Sequence, residues 1–153
     1  MVALTRLLGV DLGEQRIGLA IADSLSGSVR PLATIRRSDP ARDVQTLTRI
    51  CEEQRIDELV VGLPLNMDGS EGPQATATRD WATQVEAALN RPIVWRDERL
   101  TSVAAESRLG RAPRGPSGGP PSAKARNARR ARVDREAAAA IVQAELDSRS
   151  APH

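Results

Sequence analysis

At 153 residues, with a formal net charge of +2, two tryptophans, no phenylalanine or tyrosine and one cysteine, the chain has room for one domain with an aliphatic core and too little for two. A lone cysteine excludes an internal disulfide, and Arg6 and Asp11 break the opening apolar stretch long before the roughly 18 apolar residues of a membrane span, so neither signal nor membrane segment is read and a cytoplasmic location fits. The small net charge hides an asymmetry: residues 111–135 carry eight cations against one acid, Asp134, a balance of +7 that leaves −5 elsewhere.

In chain order, Leu7 to Leu12, Gly18 to Ala22 and Leu32 to Arg36 read as three strands joined by turns short enough for an antiparallel meander. Ser38-Asp39-Pro40 offers a cap and a first-turn proline to a helix whose apolar spacing runs through Val44, Leu47, Ile50 and Cys51. That spacing makes Cys51 a core thiol rather than a nucleophile. Leu59-Val60-Val61-Gly62-Leu63 is a near-continuous apolar run, the mark of a strand covered on both faces. After Pro64 and the loop Asn66–Gly72, a second helix places Thr78, Trp81, Ala82, Val85 and Leu89 on one stripe. Pro92 to Arg96 forms a fifth strand that delivers Asp97, Glu98 and Arg99 at its end, and Thr101 caps a short helix to Leu109, closed by Gly110. From Ala112 to Ser122 the chain is rich in Pro and Gly and reads as part of a mobile basic loop at about 111–132. A last helix carries Val133, Ala137, Ala140, Ile141 and Ala144 on one face, with Asp134 at its entrance. The order predicts an α/β domain over residues 1–150, in which crossover helices join the later strands to the meander.

In such a sheet, sites collect beyond the carboxyl ends of neighbouring strands. Asp11 and Glu98 both end strands, and if the first, fourth and fifth strands run parallel they converge on one edge, where the last helix can bring Asp134. Three oxygen donors without His or Cys suit Mg²⁺ or Mn²⁺ better than Zn²⁺, and such ions serve phosphodiester hydrolysis. Each acid also has an ordinary explanation. Asp11 can bond its own turn, Glu98 can pair with Arg96 or Arg99, and Asp134 can favour the positive end of the last helix. Asp97 competes with Glu98, because neighbours on a strand face opposite ways. The basic segment is either a clamp for a polyanion or a solvated charge run.

Four segments, GVDLGEQRIGLAIAD at 9–23, VVGLPLNMDGSEG at 60–72, DERLTSVAAE at 97–106 and VDREAAAAIVQAELD at 133–147, together resemble the YqgF/RuvX family of pre-16S rRNA nucleases, also called RuvC-like Holliday junction resolvases. The resemblance implies a ribonuclease-H-like fold, a mixed five-stranded sheet flanked by helices, with a divalent-metal nuclease site. The family's catalytic, metal-binding acids fall on Asp11, Glu98 and Asp134, and its substrate-lining positions on Arg16, Arg99 and Thr101. Gly62, Pro64 and Gly69 match the central loop, where they contribute shape. The long Pro- and Gly-rich connection after Gly110 departs from the family's pattern.

The reading that follows is a nuclease acting on structured RNA, the 5′ end of pre-16S rRNA in ribosome biogenesis, by a monomer or weak dimer. Cleavage of four-way DNA junctions is the alternative, and a nucleic-acid-binding factor without catalysis the third. An actin-like kinase reading of DLGEQRIG fails for want of a second lobe. With so few aromatics, recognition rests on phosphate contacts from Lys124, Arg126, Arg129, Arg130 and Arg132 rather than on base stacking.

Overall fold

The computed structural model describes residues 5–98 and 118–150. These form strands β1 (Arg6–Leu12), β2 (Arg16–Asp23), β3 (Val29–Arg36), β4 (Glu58–Leu63) and β5 (Ile93–Asp97), and helices α1 (Pro40–Glu53), α2 (Pro73–Leu89) and α3 (Ala123–Ser150). The sheet order is β3-β2-β1-β4-β5. The first three strands are antiparallel neighbours, while β1, β4 and β5 run parallel. The carboxyl ends of β1, β4 and β5 therefore lie along one edge, as the crossover reading requires.

The pleat decides what each face buries, since successive side chains point to opposite sides of a strand. Leu8 and Val10 of β1, Ile17, Leu19 and Ile21 of β2, and Leu59 and Val61 of β4 join Leu47, Cys51, Trp81, Val85 and Leu89 in a core under α1 and α2. Alternate residues turn the other way: Leu7, Ala20, Ala22 and Val60 pack with Ala138, Ala139, Ile141, Val142 and Leu146 of α3. This second face is lined by small residues, and the helix comes very close. A Cβ on Gly9 would meet the Ala138 carbonyl and Val142, and one on Gly18 would collide with the backbone of Asp134. Alanines on the helix and glycines on the sheet are thus two halves of one contact, which gains dispersion energy by bringing backbones together.

The helix starts follow local chemistry. The Asp39 carboxylate accepts from the Arg42 amide at 3.0 Å, with Pro40 in the first turn of α1. Cys51 is fully buried, and its thiol is pushed up to about 11, chiefly by burial, so it is inert at neutral pH.

The last helix corrects the sequence reading. It begins at Ala123, so Asp134 is its twelfth residue rather than its entrance, and Lys124, Arg126, Arg129, Arg130 and Arg132 are helical rather than part of a loop to 132. The cause is local: the Ser122 hydroxyl accepts from the Ala125 amide at 3.1 Å, and Ala, Arg and Lys, which dominate the next ten positions, are strong helix formers without any apolar period. The helix expected from Thr101 to Leu109, and with it Arg99, Thr101 and the loop through Ser117, lie outside the described residues. Among the described residues no helix is long and apolar enough to cross a membrane.

Candidate active site

Asp11 shares its face of β1 with Leu7 and Gly9, the face covered by α3. Glu98 follows β5 directly, its amide donating to the Leu63 carbonyl at 3.2 Å. It shares its face with Val94, which packs beside α3, and with Arg96, which donates to Glu145 Oε1 at 3.0 Å and to the Ala144 carbonyl at 3.2 Å on that helix. Asp97 has the opposite parity and is exposed. The pleat therefore distinguishes the two adjacent acids, and Arg96 belongs to α3 rather than to Glu98.

Strand β4 lies between the strands that carry Asp11 and Glu98, so their backbones are roughly 10 Å apart at two strand spacings. The side chains meet because the intervening residue is Gly62. A Cβ there would run into the Glu98 carboxylate and Ile141. Across this gap Asp11 and Glu98 are hydrogen-bonded to one another. Two carboxyl groups can share such a bond only when one holds a proton. Burial raises both: Asp11 to about 6, with the Glu98 bond opposing and the charge of Asp134 adding, and Glu98 to about 8, with the charge of Asp11 next in importance. Asp11 thus bonds across the sheet edge rather than within its own turn, and Arg96 is engaged by the helix, while a pairing of Glu98 with Arg99 lies outside the described residues.

Asp134 is held differently. Its backbone is fixed against Gly18 of β2, and its Oδ2 accepts from Arg16 Nε at 3.1 Å. Burial raises its carboxyl, while Arg16, then Arg130 and Arg135, oppose. A mid-helix position removes the dipole explanation, which acts only within the first turn.

The turn between β1 and β2 separates two clefts. One, of about 230 Å³, is lined by Asp11 and Glu98 with Gly13, Glu14, Arg37, Pro64, Gln74 and Thr78 among others. The other, of about 330 Å³, is lined by Gly13, Glu14, Gln15, Arg16, Arg130 and Asp134. The structure thus gathers Asp11 with Glu98, and Asp134 with Arg16 and Arg130. Among the described residues, no three acidic, His or Cys side chains stand close enough together to enclose a metal ion. The Asp11–Glu98 pair nevertheless suits a divalent cation, since its donors are all hard oxygens. Arg37 was not foreseen. It donates to the Gly13 carbonyl at 2.8 Å, bracing the turn between the clefts, and its trace in the sequence is only the Arg36-Arg37 doublet that ends a strand.

Residues 5–148 match the RuvX family, described as Holliday junction resolvase. A relative from Anaeromyxobacter sp. (strain K), named "Putative pre-16S rRNA nuclease", is 46% identical over 147 residues, covering 95% of this chain and 98% of its own. Among solved structures, Thermus thermophilus RuvC in complex with Holliday junction substrate superposes with a TM-score of 0.56 at 15% identity, covering 95% of each chain. The Fowlpox virus resolvase in complex with substrate Holliday junction DNA gives 0.58 at 10% identity, covering 96% of this chain and 100% of its own. At these identities the likeness is one of architecture, and the fold is ribonuclease-H-like.

Proposed function

Because this chain belongs to the RuvX family, we propose that it is a divalent-metal-dependent nuclease that hydrolyses phosphodiester bonds in structured RNA, maturing the 5′ end of pre-16S rRNA in the cytoplasm during ribosome biogenesis. The observation that carries the proposal is the half-buried Asp11–Glu98 pair, two acids from different strands brought into contact over Gly62 at the carboxyl edge of the sheet. The name carried by the Anaeromyxobacter relative supports RNA as the substrate class.

Asp11 and Glu98 would hold Mg²⁺ or Mn²⁺ through carboxylate oxygens, with Asp134 the third acid of the set, and the chemistry such a cation would supply there is Lewis acidity toward a phosphodiester and its attacking water. The chain's own residues do the rest. Ionisation of both acids ahead of cation binding sets the pH at which the site becomes competent. Arg37 keeps the β1–β2 turn in place beside the pair. Arg126 and Arg130, spaced one helical turn apart along α3 and in line with Asp134, hold the backbone of the strand.

A second reading, cleavage of four-way DNA junctions, is favoured by the family's description and by two fold neighbours bound to such junctions. The two are separated by incubating a 5′-extended rRNA fragment and a four-way DNA junction with the protein, in Mn²⁺ and in Mg²⁺, beside Asp11→Asn. Cleavage of the RNA alone, lost in the variant, is the expected result. Junction cleavage with inert RNA selects the second reading, and full turnover by Asp11→Asn overturns both.

A further inference from the structure

Asp134 lines a different cleft from Asp11 and Glu98, and there it is paired with Arg16. Arg16, at the start of β2, points to the α3 face by the same parity as Gly18, Ala20 and Ala22, and engages Asp134 through Nε. Both side chains remain about a quarter exposed, 26% for Arg16 and 22% for Asp134. They sit in the cleft of about 330 Å³ on the far side of the β1–β2 turn from Glu98, where Arg130 contributes a second cation and Gln15 an amide. The cleft is continuous with the row of arginines on α3, since Arg126, Arg130 and Asp134 follow at one-turn intervals.

We infer that this cleft is a phosphodiester subsite for a nucleic-acid strand, and that a phosphate seated between Arg16 and Arg130 takes Arg16 from Asp134 and so frees Asp134 to complete the carboxylate set with Asp11 and Glu98. The inference rests on the nuclease reading and deepens it: Arg16 is a positioning residue that acts through Asp134. Guanidinium groups match phosphate oxygens as well as they match a carboxylate, and here two of them converge, so a diester can compete for Arg16. Asp134 has a limited way to respond. With its backbone locked against Gly18, only its side chain can turn, and the field of Asp11 already reaches it from the neighbouring strand. The same arrangement protects the molecule without substrate, because a third buried acid beside the pair would add repulsion with no cation to offset it.

Coupling of this kind is reciprocal, so the strand must raise cation affinity by the factor by which the cation raises strand affinity. The test measures Mn²⁺ binding by its EPR signal, with and without a saturating phosphorothioate oligoribonucleotide, in wild type, Arg16→Gln, Arg16→Lys, Arg130→Gln and Asp134→Asn. Asp11→Asn with the same oligonucleotide supplies the background of ions held by the nucleic acid. Wild type is expected to bind Mn²⁺ about fivefold or more tightly with the strand present, the lower end of ordinary coupling. Arg16→Gln should reach the higher affinity without the strand and gain nothing from it, Arg16→Lys should retain part of the coupling, and Asp134→Asn should lose it. Arg130→Gln should weaken strand binding, so that the strand-dependent gain in Mn²⁺ affinity needs more oligonucleotide to appear. Circular dichroism confirms that each variant is folded. A folded Arg16→Gln whose Mn²⁺ affinity equals or falls below that of wild type overturns the inference and spares the nuclease reading. Background-level Mn²⁺ binding by wild type, equal to that of Asp11→Asn, sinks the nuclease reading and the inference with it.

Discussion

At the scale of single residues, the Asp11–Glu98 pair makes the apo protein pH-sensitive in an unusual direction. Surface carboxylates in ion pairs stabilise a fold as pH rises through their lowered values. Here both acids are raised, from 3.8 to about 6 and from 4.5 to about 8, with burial as the leading cause. Between about pH 4 and pH 8 the folded state therefore holds protons that the unfolded chain has released, and stability falls with rising pH across that window. Thermal melts in chelator should show a Tm that falls progressively from pH 5 to pH 8.5. Glu98→Gln, which keeps the shape and removes one ionisation, should flatten that dependence. It should also raise the Tm at pH 8.5 above that of wild type. Added Mn²⁺ should restore more stability at pH 8 than at pH 6, because cation and proton compete for the same oxygens. A wild-type Tm that is level from pH 5 to 8.5 in chelator would contradict the raised pair. Asp97→Asn, on the exposed side of β5, should alter this profile far less.

At the scale of elements, the glycines of the α3 face divide into two kinds. Gly18 faces the backbone of Asp134, which cannot yield, whereas Gly62 faces the ends of Glu98 and Ile141, which can swing away. Overpacking ordinarily costs about 1–3 kcal/mol, so Gly18→Ala should fall at or beyond the top of that range and Gly62→Ala near the bottom. Activity should rank the other way per unit of stability lost, since Gly62→Ala displaces the carboxylate that the chemistry needs. Urea unfolding paired with cleavage assays reads both quantities. Equal stability losses would mean that α3 shifts as a body to relieve the Gly18 contact. The strands themselves were readable because the apolar alternation of β1 and β2 and the unbroken run of β4 reflect burial on one or both faces. The start of α3 was not, since Ala123 to Arg132 has no apolar face and is held by intrinsic propensity, one serine cap, the bond from Arg126 to the Pro121 carbonyl and the bond from Thr34 Oγ1 to the Ala131 carbonyl. The choice between Asp97 and Glu98 was equally closed to local reading. It depends on which face of β5 meets a helix that begins 25 residues after Glu98. The Arg16–Asp134 pair joins residues 118 positions apart, a contact no spacing rule encodes.

At the scale of the whole molecule, the segregation of charge acquires a shape. The acids of the candidate site lie at the carboxyl edge of the sheet, and the cations that the composition placed in one stretch of chain lie in part along the first three turns of α3, leading toward Asp134. A rigid row of guanidinium groups on a helix differs from a mobile basic loop, because its charges approach a polyanion together without the ordering cost of a flexible segment. This distinction can be counted. Each cation in contact with phosphate releases counterions and contributes roughly 0.7 to 0.9 to the slope of log affinity against log salt. Arg126, Arg129 and Arg130 stand three and four residues apart on one side of α3, so a strand laid along that side should meet all three. Replacing them together with Gln should flatten the slope by about 2, weaken binding almost regardless of sequence, and leave Mn²⁺ binding at Asp11 and Glu98 in the absence of nucleic acid unchanged. Filter-binding titrations of the triple variant and wild type from low to moderate salt give the two slopes. If they coincide, the basic turns of α3 are a solvated surface, and the strand must cross the sheet edge by another path, over Arg37 and the turn at Gly13.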